Sequence, residues 1–173
     1  KISRVNTLAG FLNFFSPFKK YFYRPLSTEV FYYLIHLLKE NVFFSHLIVF
    51  VVFFIGLFYL YKVSNLLLKD KLFSYLLVGF YAINFTHVFQ LYFLGTFQEV
   101  ALFTFINLSF YNFLKKRNIY SIFFFILALL SKETALFYLL LLVIYTIFIK
   151  KFDKRMIPYF LISFFLYFFL KAV

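Results

Sequence analysis

The chain is short of several residue types, and each shortage removes a class of function. It contains no cysteine, so disulfides, thiol catalysis and cysteine-ligated metal are excluded. Its four glycines are isolated, which leaves no glycine-rich loop for a nucleotide phosphate. The histidines, His36, His46 and His87, form no helical i, i+4 pair, so we predict no metal-binding residue. The sequence does not identify a cofactor.

Acidic residues are also few, six against 18 Lys and Arg, and the formal net charge is +12. The cations flank apolar runs, so membrane orientation and anionic lipid headgroups explain them better than nucleic acid does. We therefore expect membrane lipids, and no nucleic acid, as partners. A hydrophobic content of 65% and a mean hydropathy of +0.92 argue against a soluble domain. The sequence predicts an integral, multi-pass membrane protein.

Charged segments divide the apolar sequence into about six predicted transmembrane spans. The predicted spans are residues 46–61, 72–91, 99–114, 119–130, 135–149 and 156–170. Three of the connecting loops are basic, and short basic loops stay in the cytoplasm. This places the two short, weakly charged loops on the outer, periplasmic or extracellular, side. The predicted fold class is all-α, with residues 46–173 forming a polytopic transmembrane helical bundle.

Residues 1–45 contain no apolar stretch long enough to span a membrane. The charge count places them outside, as an interfacial loop with helices. Ser27, after Arg24-Pro25-Leu26, is predicted to cap an aromatic helix that runs to about Lys39. Glu29 then falls in the first turn of that helix, where the helix dipole favours a carboxylate.

Lys132 and Glu133 interrupt the long apolar run from 119 to 149. Both ends of this run are basic, so a single span would leave one basic loop on the wrong side. A hairpin that turns at residues 131–134 resolves this conflict. Its arms are shorter than the roughly 20 residues of a full span, so the turn should be recessed below the outer surface. Ions there are candidates for function, and the alternative is a helix-end ion pair without chemistry.

The predicted outward face collects a small polar set. Its members are Arg24, Glu29, His87, Gln90, Gln98, Glu99, Lys132 and Glu133. A carboxylate at such a surface can act as a general base or position an acceptor, and a cation there can neutralise a phosphate leaving group. The alternative for Glu99 is a solvated helix N-terminus, and for His87 a hydrogen-bonded interface histidine. The remaining acids, Glu40, Asp70 and Asp153, are interpreted as solvated or as neighbours of lysine at helix ends.

Residues 23–28 (YRPLST), 129–135 (LLSKETA) and Gln98-Glu99 together resemble polytopic glycosyltransferases of the GT-C superfamily. The protein O-mannosyltransferase-like and aminoarabinose-transferase-like families are the nearest in pattern. The resemblance implies a polyprenyl-phosphate-linked sugar donor, transferred on the outer side to a protein, lipid or glycan acceptor.

The resemblance also implies roles for individual residues. Arg24 and Lys132 would bind the donor phosphate, and Glu99 would be an active-site carboxylate. Glu133 would orient Lys132, with His87 and Gln98 as supporting residues. The family carries a catalytic aspartate early in its first outer loop, whereas no aspartate precedes position 70 here. We therefore expect the chain to be part of a longer protein whose upstream segment holds that residue.

Two other functions remain open. A transporter or channel subunit predicts polar residues and broken helices at bilayer mid-depth. A structural assembly subunit predicts small-residue interfaces such as GxxxG, and the sequence has none. The polar residues gather at one predicted face, which favours an interfacial site over a translocation path.

Overall fold

The structure, a computed structural model, describes residues 24–148 and 153–172. Residues 1–23 of the predicted outer segment, and Lys150 and Lys151 of the third basic loop, lie outside the described residues. The described part is helical, without a β-strand, which confirms the all-α class for it. Its main helices are α1 (Phe31–Leu37), α2 (Val42–Leu68), α3 (Lys71–Ala82), α4 (Phe85–Tyr92), α5 (Phe97–Leu114), α6 (Asn118–Ser131), α7 (Phe137–Phe148) and α8 (Ile157–Ala172). A π-helical turn, Pro25–Val30, precedes α1, and short 3-10 turns cover Leu94–Thr96, Glu133–Leu136 and Lys154–Met156.

Helix α2 is the one described helix that is long and apolar enough to cross a membrane by itself. The Asn41 side chain caps its start by accepting a hydrogen bond from the Phe44 amide. The helix extends well beyond the predicted span 46–61, because nothing breaks it before Lys69 adopts a left-handed conformation, with φ of 56°. The predicted basic loop 62–71 is therefore mostly helical.

The predicted second span, 72–91, is broken into α3 and α4, which are bent by 59°. Asn84 explains the break, because its side chain accepts a hydrogen bond from the Thr86 amide at 3.0 Å and caps α4. The two helices together meet the length and apolarity expected of one broken span or of a re-entrant loop.

The predicted hairpin break is confirmed. Helix α6 ends at Ser131, Lys132 is extended, and the 3-10 turn begins at Glu133. Helices α6 and α7 have 14 and 12 residues, fewer than the roughly 20 that cross a bilayer. Only α2 and the bent pair are therefore candidate spans among the described residues, and the number of spans stays a prediction.

Helix α5 is the centre of the described bundle, packed between α2 and α6. It runs parallel to α2, since Val49 and Phe53 share a core cluster with Phe97 and Val100, whereas Val63 packs with Phe113. A Cβ atom added at Gly56 would lie 2.5 Å from the Phe103 ring. Glycine is therefore required for the close approach of α2 and α5.

Two buried clusters form the core. The first lies beneath the N-terminal ends of α2 and α5 and comprises Phe31, Ile35, Val49, Phe53, Phe97, Val100 and Ala101. The second lies towards the C-terminal end of α5 and comprises Val63, Phe110, Phe113, Phe125, Tyr138, Leu142, Met156 and Tyr159. We call these two ends of the bundle the Arg24 end and the Arg155 end, after the cations found there.

Candidate functional site

The break after α6 presents two charged side chains in different directions. Lys132 has extended backbone angles, φ −160° and ψ 139°, and successive side chains along an extended segment point to opposite sides. Lys132 accordingly reaches α5, whereas Glu133 reaches the segment before α1. The Ser131 hydroxyl, just before the break, bonds back to the Leu127 carbonyl at 2.8 Å.

Lys132 forms an ion pair with Glu99. Its Nζ donates a hydrogen bond to Glu99 Oε1. Glu99 lies in the first turn of α5, where the helix dipole favours a carboxylate. The two side chains are 18% and 31% exposed, so the pair is accessible without being fully solvated. The helix-terminus interpretation of Glu99 is correct for its position, but the carboxylate also has a specific cationic partner.

Arg24 binds the other carboxylate of the hairpin tip. Its Nε donates to Glu133 Oε2 at 2.7 Å and its Nη2 donates to Glu133 Oε1. Its Nη1 donates to Gln98 Oε1 at 2.6 Å. The planar guanidinium suits this two-point binding of a carboxylate. The hydrogen bond from Arg24 is the main reason that the pKa of Glu133, in the turn between two helices, lies below its usual value.

The segment that carries Arg24 is also held by neutral contacts. Ser27 is buried, and its hydroxyl donates to the Ser131 carbonyl at 2.7 Å. The Phe31 ring stacks on Phe97 with centroids 3.8 Å apart. Ser27 is therefore not the predicted helix cap. The Ser27 hydroxyl bonds the Ser131 carbonyl and caps no helix. The helical segment begins two residues earlier, after Arg24, with Pro25 at its start.

The structure thus brings together five of the six predicted site residues: Arg24, Gln98, Glu99, Lys132 and Glu133. They come from three separate parts of the chain. Glu133 is hydrogen-bonded to Arg24 and Lys132 to Glu99, so the role of Glu133 in orienting Lys132 stays a prediction. Each carboxylate pairs with a cation from another segment, because the extended Lys132 backbone separates the two adjacent side chains.

His87 has its contacts elsewhere. It is buried, its Nδ1 lies 2.8 Å from Gln90 Oε1, and its ring lies against those of Tyr81 and Phe53. The hydrogen bond agrees with the alternative of a hydrogen-bonded interface histidine, although the ring is buried among aromatic side chains. The structure does not bring it to the five clustered residues.

The contacts that build the site were not predicted from the sequence. The buried Ser27–Ser131 bond had a signal, since both serines lie in the two motifs that carried the family resemblance. The acids outside the cluster partly follow expectation. Asp70 is exposed, as predicted, and it also caps α3, while Glu40 is exposed just after the end of α1, 3.7 Å from His36. Asp153 is hydrogen-bonded to Arg155 rather than merely solvated.

Among the described residues, no group of three His, Asp or Glu side chains is arranged to hold a metal ion. A groove of about 530 Å³ lies between the start of α2 and α4 and is lined by Val42, His46, Phe50, Val88, Leu91 and Tyr92. His46 Nδ1 lies 3.2 Å from the Leu91 carbonyl, so the main polar group of the groove already has a partner.

The five clustered residues form a charge-balanced group, with two cations, two carboxylates and one amide. A cation of this group can bind an anionic ligand once its carboxylate partner is displaced, and a carboxylate can accept a hydrogen bond from an acceptor hydroxyl. Comparison of the chain with protein-family models, curated proteins and solved structures found no match.

Proposed function

We propose that the chain belongs to a membrane glycosyltransferase that moves a sugar from a polyprenyl-phosphate-linked donor to an acceptor. Arg24 and Lys132 bind the donor phosphate, and Glu99 is the carboxylate that meets the acceptor. Gln98 holds Arg24 in place. The observation that carries the proposal is the convergence of these residues, from three parts of the chain, at one end of an apolar helical bundle.

Exposed apolar side chains support a membrane setting. On α3, Leu72, Phe73, Leu76 and Phe80 are each more than half exposed. Contiguous apolar surface of this kind is normal against lipid and unusual in water. A lipid-linked donor would approach the Arg24 end within the same medium, so that its phosphate meets the polar cluster at the membrane surface.

The charge distribution supports a multi-pass topology with the Arg24 end outside. Basic residues around α5 and α6 concentrate at the opposite end of the bundle, at positions 115, 116, 117, 154 and 155. By the positive-inside rule that end faces the cytoplasm. The transfer reaction then takes place on the periplasmic or extracellular side.

The alternative is a non-enzymatic polytopic membrane protein, such as a transporter subunit. A transport path needs polar or ionisable groups near mid-depth. The buried polar side chains of the described residues are hydroxyls, amides and one histidine, with no Asp, Glu, Lys or Arg among them. Many bond within their own helix, as Asn107 does to the Phe103 carbonyl. The lack of buried ions favours the interfacial enzyme, whereas the bend between α3 and α4 is a feature that the alternative also predicts.

The test is sugar transfer from a radiolabelled polyprenyl-phosphate sugar, using the full protein in lipid nanodiscs. Glu99→Gln and Lys132→Ala are each expected to lower kcat/KM by about 100-fold or more, since each removes a group that contacts reacting atoms. Asp153→Asn, which removes a carboxylate at the Arg155 end, is the matched control and should retain activity. Full activity in both site variants would refute the assignment.

A further inference from the structure

We infer that Glu133 occupies the phosphate position on Arg24 in the resting protein and leaves it when the lipid-linked phosphate binds. This inference rests on the proposed function, because it concerns the same cations. It assigns Glu133 a regulatory role in place of the predicted one of orienting Lys132.

Charge balance is the first argument. Arg24 and Lys132 are each paired with a carboxylate, so the cluster is formally neutral. A neutral cluster has little attraction for an anion, and an added phosphate would place like charges side by side. A phosphate can therefore bind both cations only if one carboxylate withdraws.

Exposure and backbone setting decide which carboxylate withdraws. The Glu133 side chain is 49% exposed, against 31% for Glu99, so Glu133 is rehydrated at lower cost. Glu133 begins a short 3-10 turn after an extended residue. Glu99 lies in the regular helix α5, and its neighbours Val100 and Ala101 are buried.

The remaining contacts keep the site assembled after Glu133 leaves. Gln98 still accepts from Arg24 Nη1, and the Ser27 hydroxyl still bonds the Ser131 carbonyl. The guanidinium therefore keeps its place while Glu133 leaves the edge formed by Nε and Nη2. In the structure, the Nε–H and Nη2–H groups of this Arg24 edge donate to the two Glu133 oxygens. The same paired N–H geometry suits two phosphate oxygens.

The experiment compares binding of farnesyl phosphate to the unchanged protein and to Glu133→Gln in detergent micelles. Farnesol, which lacks the phosphate, and inorganic phosphate, which lacks the chain, are the two reference ligands. Glu133→Gln is expected to bind farnesyl phosphate about fivefold or more tightly than the unchanged protein does. Glu99→Gln should show a smaller gain and Asp153→Asn none, although each variant removes one negative charge.

Equal gains in Glu133→Gln and Glu99→Gln, or a larger gain in Glu99→Gln, would overturn the inference while leaving the phosphate site in place. No preference for farnesyl phosphate over farnesol in any variant would overturn both. Equal binding of inorganic phosphate would assign the site to free phosphate rather than to a lipid.

If Glu133→Gln does not fold, amide hydrogen exchange of residues 133–136 in the unchanged protein gives the answer. Faster exchange with farnesyl phosphate supports release of Glu133, and slower or unchanged exchange contradicts it.

Discussion

The two ends of the bundle use charge differently. At the Arg24 end, the ion pairs join residues 109 and 33 positions apart in the sequence. At the Arg155 end, Asp153 and Arg155 are two positions apart, and Asp153 Oδ1 accepts from the Arg155 amide at 3.0 Å. Arg155 also donates to the Phe113 carbonyl at 3.1 Å, and its guanidinium carbon lies 4.8 Å from the centroid of the Phe113 ring.

This difference separates a structural turn from a candidate site. The Asp153 pair shapes the start of α8 and needs little of the rest of the fold. The Arg24 and Lys132 pairs exist only when three segments have docked, and each has a cost in desolvation and side-chain entropy. Basic residues outnumber acids around the Asp153–Arg155 pair, whereas the five clustered residues have equal numbers of cations and carboxylates.

The largest expected effect is a difference in sidedness between the two ends. The chain has no native cysteine, so Lys39→Cys and Lys154→Cys each introduce a single thiol at an exposed position. In sealed vesicles, a membrane-impermeant maleimide should label one variant from the outside and the other only after permeabilisation, because the proposed topology places the two ends on opposite membrane surfaces.

Detergent-solubilised protein, in which both variants should be labelled, is the control for reactivity. Labelling of both thiols from the same side would end the comparison, since the Arg24 and Arg155 ends would then share one compartment. Labelling from the reversed sides would keep the comparison but place the candidate site in the cytoplasm.

The next largest effect concerns the two core clusters. Phe113→Ala should lower the stability of the whole bundle by about 3–5 kcal/mol, since Phe113 is fully buried and its ring contacts Tyr145 and Tyr159. Phe31→Ala should mainly release residues 24–41, because Phe31 docks the first helix onto Phe97. Thermal unfolding by circular dichroism measures the first effect, and limited proteolysis measures the second.

Phe148→Ala, at an 81% exposed position, is the matched control and should change neither measurement. Equal lowering of the unfolding temperature by Phe113→Ala and Phe31→Ala would show that the Arg24 end is as integral to the bundle as the Arg155 end. That result would contradict the description of α1 as a docked element.

The helix break marked by adjacent charges was predictable from the sequence, and the helix ends set by a single capping or left-handed residue were not. The hairpin break at Lys132 was predicted because two charges interrupt an apolar run. The end of α2 was missed because Lys62 was taken to end the span, whereas the helix continues to the charged residues 69–71. The bend at Asn84 was missed because one polar residue barely changes the hydropathy of the apolar run around it. The capping side chain of Asn84 sets the bend, and hydropathy averaged over many residues does not detect it.

The same limit applies to the candidate site. The distribution of basic loops placed Arg24, Glu99, Lys132 and Glu133 on one predicted face. In the structure they form two ion pairs, Arg24 with Glu133 and Lys132 with Glu99. Their pairing was not predictable, because it depends on how far each helix is rotated and on the extended backbone at one residue. His87 shares the predicted face but lies between Tyr81 and Phe53, where ring packing determines its position.

A smaller effect distinguishes the two kinds of ion pair. A double-mutant cycle of Arg24→Ala and Glu133→Ala should give a coupling energy of about 1 kcal/mol or more, since the bond is two-pronged and Arg24 is mostly buried. The cycle of Asp153→Ala and Arg155→Ala should give less, because neighbours two positions apart also meet in the unfolded chain. Unfolding free energies from SDS titration provide both values.

The control for this comparison is a cycle of Arg24→Ala with Asp153→Ala, two residues at opposite ends of the bundle, which should give no coupling. A larger coupling for Asp153 with Arg155 than for Arg24 with Glu133 would reverse the comparison. The ion pair at the Arg155 end would then contribute more to stability than the pair at the Arg24 end.

The smallest effect is a pH dependence of the docking of residues 24–41, which we expect at the Arg24 end and not at the Arg155 end. Hydrogen bonds from Arg24 and from Arg155 hold the pKa values of Glu133 and Asp153 below their usual range. A lowered folded-state pKa contributes stability that is complete above the unfolded values of about 4.3 and 3.9 and is lost as pH falls through the folded values. Docking of residues 24–41 should therefore be constant from about pH 8 to 5 and weaken below about pH 4.

Peptic cleavage within residues 24–41 measures the acidic part of this change, where pepsin is active and cuts beside the aromatic residues there, with an unstructured peptide as the reference for its own pH dependence. The step should be small, since Glu133 is about half exposed and solvent screens its pair. Glu133→Gln should remove the step, because the amide does not titrate, whereas Asp153→Asn should leave it intact. A step of the same size in Glu133→Gln would assign the acid sensitivity of this segment to another group. Glu133 would then have no part in holding Arg24 against the bundle at low pH.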